Sequence, residues 1–545
     1  MRFTFVPSPA RPGAILIAAA MLAMGVAACG GGGGSGPGGT QGSTRTTLNI
    51  IAAEPTSGFD PNIAVTDTSR RVMELMYDQL IDYNAKGELV PDLATSWTAS
   101  PDGLTYTFTL RPNAKFSNGA PITAQDVKFS LERMTSGAAL KAQLSDMKSV
   151  TVTGAHTVQT HLAARSRVFL NALATIGSAA ILDQKAVQAS AKYFVKPVDT
   201  SGPWQLVQYT QGSNLSLTAN QHYWATGYPK IKNINYTFSA DPTSAAAALQ
   251  AGTADMYYPI DPQDAIRLAK AGVTKTYVSR QPGVVGFGFN KSKPPFNNPK
   301  VRLALAYLAP RADKFKTCWN SIGDVSWGNV IFPGSWAYTP GADMFNVSHA
   351  AALKAAGKLM DEAGWRMGKG GIRVAKGVPG VPDGTPFKYT VPVENDWQQA
   401  ECNTLLLQHD EAPLGVDLVP QNYDGATFWS QVTKNAFLMY HMGDGWATPD
   451  LELEQAYACN GQSNNLIVKW CDPQVDRLIN EAAATQSLTQ AAKIYHQVQL
   501  IIEQQQPSLV TGVQYSVTAA TKNLVGYYSR PDDSNRSLIY ATLRG

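Results

Sequence analysis

The sequence predicts a mixed α/β fold on three observations. Segments of strand period and of helix period alternate along the chain, several helix starts carry their own capping residues, and no fixed-period repeat points to a solenoid. Residues 105–110 alternate polar with apolar, placing Tyr106, Phe108 and Leu110 on one face of a half-buried strand. Residues 121–133 follow as a helix. Thr123 and Asp126 stand three apart, the spacing at which each side chain satisfies a free backbone donor of the first turn, and Val127, Leu131 and Met134 continue at helical spacing. Residues 214–218 and 286–290 read as strands. The stretch 348–364 is a helix with Ala352, Ala356, Leu359, Met360 and Ala363 along one face and Gly364 fitted to a left-handed stop. Asp472-Pro473 opens another, with proline at the first helical position and Val475, Leu478, Ile479 and Ala482 as its stripe. A fourth runs from about 488 to 503.

Composition narrows the function. The 545 residues are 44% hydrophobic and 16% charged, an ordinary globular balance that buries a core without a disulfide scaffold. A net charge of +4 over this length excludes the concentrated basic face of a nucleic-acid binder. The 11 Trp, 22 Tyr and 18 Phe suit a cleft for small molecules as well as a core.

The N-terminus sets the compartment. Arg2 and Arg11 precede an apolar run over 14–28, too short to span a bilayer comfortably and shaped as a secretory signal. Val26-Ala27-Ala28-Cys29 resembles the lipobox of bacterial lipoproteins, which implies cleavage before Cys29 and lipid on its sulfur. Eight of the ten residues 30–39 are glycine. Such chain is a flexible coil, so residues 29–46 would form a tether of roughly 20–25 Å. No strand precedes these glycines and no Lys-Ser/Thr follows, which sets a phosphate loop aside. Loss of the two leader arginines leaves a mature charge of about +2.

From residue 94 the sequence resembles family 5 of the extracytoplasmic solute-binding proteins, the dipeptide- and oligopeptide-binding components of ABC importers. The resemblance is carried by Ala94-Thr95-Ser96-Trp97, Ser100-Pro101-Asp102-Gly103-Leu104-Thr105-Tyr106-Thr107-Phe108-Thr109-Leu110-Arg111, Lys115-Phe116, Asn118-Gly119, Pro121, Thr123-Ala124, Asp126-Val127, Phe129-Ser130 and Arg133. Further landmarks keep the family's order: Asp60-Pro61, Tyr77-Asp78-Gln79-Leu80, Ser201-Gly202-Pro203-Trp204, Tyr223-Trp224, Ala248-Leu249-Gln250-Ala251-Gly252, Phe289-Asn290, Val301-Arg302, Gln506-Pro507 and Gly526-Tyr527. The likeness spans roughly residues 48–530. Two places depart from it. Leu308-Ala309-Pro310-Arg311 stands where the family has Ala-x-Asp-Arg, and Pro310 should end that helix early. Met442–Asp450 stands where the family commonly has Asp-Tyr, a short gap and Asp-Pro.

The resemblance implies a periplasmic-binding-protein-like, two-lobe α/β fold (type II, cluster C) with an extra subdomain in lobe one. The expected divisions are 1–28 signal peptide, 29–46 tether, 47–80 with 200–288 and 511–545 as lobe one, 81–199 as its extra subdomain, and 289–510 as lobe two. It further implies capture of a peptide by lobe closure and delivery to an ABC permease and ATPase complex. A peptide ammonium must be desolvated, so a carboxylate should meet it. Asp444, flanked by Gly443 and Gly445, is the candidate, with a turn-capping aspartate as the alternative. Trp446 and Trp397 are candidates for ligand contact or for packing. Asn395 and Glu54 fall in the family's cleft-reaching segments. Gly286 and Gly288 allow close backbone approach on the strand entering lobe two. Related binders often carry a Cys pair flanking an Asn-rich turn like Ser463-Asn464-Asn465. Cys459–Cys471 is therefore the expected disulfide, and Cys318–Cys402 the remaining pair.

Enzyme signatures are missing: there is no His-Glu-x-x-His, nucleophile elbow or Walker loop. The pairs His441/Asp444 and His156/His161 join no wider metal-ligand set. No cofactor, metal or nucleic acid is expected. The expectation is a monomer held by its lipid on the outer face of the cytoplasmic membrane or in the periplasm. A sugar, a metal chelate or another solute as ligand, a sensor role and a surface hydrolase are the rival readings.

Overall fold

In the computed structural model, residues 44–545 are described apart from 64–65, 137–143, 145, 176–178, 329, 332, 340–343, 396 and 447. The signal peptide, Cys29 and nearly all of the tether thus lie outside the described residues.

A nine-stranded sheet organises the molecule. Its order runs Met439–Gly445, Thr274–Phe289, Ser508–Thr521, Met256–Tyr258, Thr47–Ala52, Asn233–Phe238, Asn214–Ala219, Trp204–Thr210, with Gly323–Val325 also paired to Ser508–Thr521. Thr47–Ala52 is parallel to both neighbours, and the other pairings are antiparallel. Two long strands join its halves. Thr274–Phe289 has 16 residues and Ser508–Thr521 has 14, and they pair from Thr274↔Thr521 to Gly288↔Ser508. Their register breaks between Ser279 and Gly283. Pro282, which has no N–H to give, falls inside that break. On one side of the break Val517 and Ala519 pack with Ile51, Leu249 and Leu268. On the other, Val284 enters a core with Tyr457, Val285 one with Trp319, and Phe287 one built around Leu305 and Val391.

The predicted strand over 286–290 is therefore the last part of a much longer one that ends at Phe289. Its glycines stand where a side chain does not fit. A Cβ on Gly286 would lie 1.9 Å from the Leu509 carbonyl oxygen, and one on Gly288 would lie 2.5 Å from the Tyr440 ring.

A four-stranded antiparallel sheet forms separately: Ala94–Ala99, Thr105–Leu110, Thr157–Leu162, Met147–Gly154. Helix Ala124–Ser136 begins as its capping residues require. The Thr123 N–H donates to Asp126 Oδ2 at 2.9 Å, and the Asp126 N–H donates to Thr123 Oγ1 at 3.3 Å. Val127, Leu131 and Met134 bury with Phe108, Val158 and Phe169 in the core of this part. That core also takes in Trp446, Leu451 and Ala483 from far along the chain. Ala180, Leu182, Val187 and Phe194 pack instead on the core of the large sheet, beside Trp204 and Tyr236.

The later helices follow their stripes. His349–Glu362 starts after the Ser348 cap and is followed by Gly364 at φ +86°. Pro473–Ala484 starts after Asp472, whose carboxylate accepts the Gln474 and Val475 N–H groups. Leu488–Gln505 buries Ile494, Val498 and Ile502. Helix Pro299–Tyr307 stops three residues before Pro310, the early end that proline imposes. Cys318 is joined to Cys402 and Cys459 to Cys471. Within the smaller loop Asn464 ties the two ends: its amide donates to the Ala458 carbonyl at 2.6 Å and its Oδ1 accepts the Trp470 N–H at 2.8 Å.

Candidate solute-binding site

The candidate site grows from the edge strand Met439–Gly445. This strand pairs with the second half of Thr274–Phe289, Asp444 lying opposite Val284. Met439 to Met442 are buried, and Gly443 to Gly445 are only half-buried where the strand leaves its core. Asp444 is thus a strand residue rather than a turn cap. Its Oδ1 accepts the Gly445 N–H at 3.0 Å, while Oδ2 is closed to solvent. Burial holds this carboxyl above the usual aspartate range, against the pull of the Ser463 hydroxyl, the Gly445 N–H, Trp446 and the Arg70 charge. Arg70 comes from helix Asp67–Met76, which packs on the core of the large sheet through Val72 and Met73, so it acts on Asp444 from a segment far away in sequence.

Trp397 reaches the same place. It precedes helix Gln398–Glu411 and is half-buried. Its ring stands edge-on to His441 with centroids 4.6 Å apart, and its Cη2 lies 2.8 Å from where a Gly443 Cβ would be. Gly443 is therefore the absence of a side chain that lets an indole close on the strand next to Asp444. Trp446 has another role. It is 3% exposed, packs in the core containing Phe108 and Phe169, and spends its single donor on the Ser463 hydroxyl at 3.2 Å. Contact with a solute in an open cleft does not fit that placement; packing does. Glu54 accepts the Thr68 N–H at 3.1 Å, at the start of helix Asp67–Met76. The Asn395 side chain is exposed and its backbone N–H donates to the Tyr423 carbonyl at 2.9 Å. Of the five ligand candidates, only Asp444 and Trp397 fall on or against one strand, and Trp446 follows the end of that strand in sequence.

The structure adds residues the sequence did not single out. Glu452, in helix Pro449–Tyr457, is 2% exposed. Burial, then the charge of Asp444, pushes its carboxyl well above the usual glutamate range. Tyr457, on the same helix, feels both acids, and its hydroxyl lies 3.1 Å from Ser508 Oγ. Arg167, from the four-stranded-sheet part, reaches Asp450 of this helix with Nη2, and its backbone N–H donates to the Ala483 carbonyl at 3.0 Å. Tyr495 donates to the same Asp450 oxygen at 2.8 Å. Among the described residues no group of three or more His, Cys, Asp or Glu could hold a metal ion, and no helix is long and apolar enough to cross a membrane.

Comparison with known proteins agrees with this geometry. Residues 88–464 match the model of the bacterial extracellular solute-binding proteins, family 5 middle region. The glutathione-binding protein GsiB of Salmonella typhimurium is 27% identical over 488 residues, covering 87% of this chain and 90% of that protein. Among solved structures, the oligopeptide-binding protein AppA of Bacillus subtilis, in complex with a nonapeptide, superimposes with a TM-score of 0.81 at 23% identity, over 93% of this chain and 100% of that one. NikZ of Campylobacter jejuni, in complex with Ni(L-His), gives 0.80 at 20% identity, over 92% and 100%. The two-lobe type II fold is common to these binding proteins. With a family match over most of its length, the chain belongs to family 5 of the bacterial extracellular solute-binding proteins, the non-enzymatic binding components of ABC importers.

Proposed function

We propose that this chain is a lipid-anchored receptor that captures peptides or peptide-like solutes through their ammonium group and hands them to its ABC permease and ATPase. The observation that carries the reading is Asp444: a carboxylate with one buried oxygen, at the end of an edge strand, beside the Trp397 ring and within the field of Arg70. An ammonium brought there gains charge-assisted hydrogen bonds in a place where water no longer competes. GsiB and AppA are named for ligands of this kind, glutathione itself being a tripeptide with a free ammonium.

The lobes we propose are the parts on either side of the register break near 280–282 and its partner near 514–516, a few residues from the expected divisions at 288 and 510. Residues 81–199 form the extra subdomain of lobe one, with their last turn packed on the large sheet. The mature chain is a monomer whose lipid on Cys29 keeps it at the outer face of the cytoplasmic membrane. Mass spectrometry of solute retained by the purified chain, followed by thermal-shift titration with the compounds found, tests the reading. A retained solute lacking any cationic group would refute it. A non-peptide ligand is the second reading, supported by NikZ, whose fold holds a nickel chelate. Asp444→Ala separates the two: it should abolish binding of a peptide and leave an uncharged solute nearly unaffected.

A further inference from the structure

Among the described residues only two Phe, Trp or Tyr side chains stand exposed, Tyr540 at 54% and Tyr228 at 38%, and they pair with each other. Their rings meet edge-on with centroids 5.5 Å apart, and the Lys230 ammonium stands over the Tyr228 ring, 5.1 Å from its centroid. A lone exposed ring is ordinary on a protein surface. Two that gather with a cation, in a chain that covers its other described aromatics at least in part, call for an account.

The pair lies where the chain enters the fold. Strand Thr44–Arg45 pairs antiparallel with Thr542–Arg544, Thr44 lying opposite Arg544. Tyr540 ends the helical turn Arg536–Tyr540 that leads into the latter strand. From the other side, the Thr46 carbonyl accepts the Lys232 N–H at 2.7 Å and the Asn233 N–H at 2.9 Å, so the loop carrying Tyr228 and Lys230 is stitched to the same entry. Lys232 Nζ in turn donates to the Pro229 carbonyl at 2.8 Å. The charge here has one sign: segments 43–50, 221–232 and 534–545 contain no Asp or Glu. Their Arg45 is taken up by Asp255, and their Arg536 by Asp78, Asp82 and Asp92. Lys230, Lys232 and Arg544 are exposed and in no ion pair among the described residues.

We propose that this face, Tyr228 and Tyr540 with Lys230, Lys232 and Arg544, rests on the headgroups of an anionic lipid surface. The proposal rests on the reading that Cys29 carries lipid, and adds which side of the body meets the membrane. Cys29 precedes Thr44 by 15 residues, and a glycine-rich chain of that length would span roughly 20 Å. The entry to the fold is thus the part that the lipid would hold nearest the bilayer. Tyrosine suits the contact, because its apolar ring and polar tip fit the boundary between acyl chains and headgroups. Each Lys or Arg near an anionic surface strengthens association about fivefold, so the three together are worth about 100-fold, provided they lie within the screening length of about 8 Å at physiological salt. The lipid supplies the local concentration at which so weak a contact is occupied. The consequence is orientation: the body docks by one side instead of turning freely on its tether.

The test uses the full chain, expressed with its leader and reconstituted on vesicles of phosphatidylcholine alone or of phosphatidylcholine with phosphatidylglycerol. Hydroxyl-radical labelling, read by mass spectrometry, follows Tyr228 and Tyr540, with the half-buried Tyr307 and Trp429 of other cores as references. On the anionic vesicles labelling of both exposed tyrosines should fall about fivefold below that on the neutral ones, and salt at about 0.5 M should restore it. Lys230→Glu with Lys232→Glu and Arg544→Glu should restore it as well, although the lipid still holds the chain. The same three positions changed to alanine should restore it in part, and unchanged reference labelling shows that each variant is folded. Labelling that is equal on the two vesicles, or lowered on the anionic ones and unmoved by charge reversal, overturns the proposal. If the intact mass shows no lipid, yet the chain floats with anionic vesicles until the three charges are reversed, the anchor falls while the face stands. If it carries no lipid and floats with neither vesicle, both fall.

Discussion

Replacing Arg167 by leucine should open the protein. On the division into lobes proposed above, Arg167 belongs to the extra subdomain and Asp450 to the helix that follows the edge strand, so their pair would span the two sides of the cleft. The guanidinium also lies over the Trp336 ring, 4.6 Å from its centroid. Side-chain exposures of 18% for Arg167 and 5% for Asp450 put the pair among the partly buried ones, for which loss of one partner costs about 3–5 kcal/mol when the other charge is stranded. Two features lower that figure. Tyr495 still donates to Asp450, and burial already holds the Asp450 carboxyl above the usual range, so it can take up a proton instead of staying charged. About 2–3 kcal/mol is then the cost to the closed form. Opening re-solvates Asp450 and relieves it, so the closed-to-open ratio should fall about 30- to 150-fold. If the empty protein is mostly open, solute affinity falls by the same factor, because only the closed form encloses the ligand. Calorimetry reads the affinity, and small-angle scattering with saturating solute reads the residual closure. An affinity within twofold of wild type, with scattering unchanged, would show that the pair holds nothing shut and would refute the reasoning.

Three further outcomes follow from the same structure. Cys459→Ser with Cys471→Ser removes a crosslink 12 residues apart in sequence and should cost about 3 kcal/mol in urea unfolding, whereas removing Cys318–Cys402, 84 apart, should cost about 4.5 on the chain-entropy account; equal losses would count against that account. Glu411, pushed up to about 8 by burial, keeps its proton in the fold while the unfolded chain loses it near the ordinary glutamate value, so the native state binds more protons and stability falls as pH rises from about 4.5 toward 8. Glu411→Gln should flatten that slope in denaturation series across this window, and a slope unchanged by the substitution would contradict it. Gly286→Ala should prevent folding, since the added Cβ meets backbone rather than a movable side chain; a soluble, cooperatively unfolding variant would mean that the two long strands can separate there.

What the sequence made legible was local. Thr123 and Asp126, Asp472-Pro473 and Gly364 each act within one helical turn, and each stands in its predicted role. The strand at 286–290 was seen only at its end, because Pro282 and the polar residues before it hide the first half of the strand from a period-two pattern. Interactions that join distant segments left no mark. Arg536 reaches Asp78 and Asp92, more than 440 positions away, and also the Glu74 carbonyl at 2.8 Å. Nothing near Arg536 in sequence announces acids that belong to the first hundred residues. Trp446 shows the opposite failure. Its place beside Asp444 suggested stacking, but a side chain's neighbours in space come from the whole fold, and Trp446 found Leu451, Ala483 and the core around Phe108.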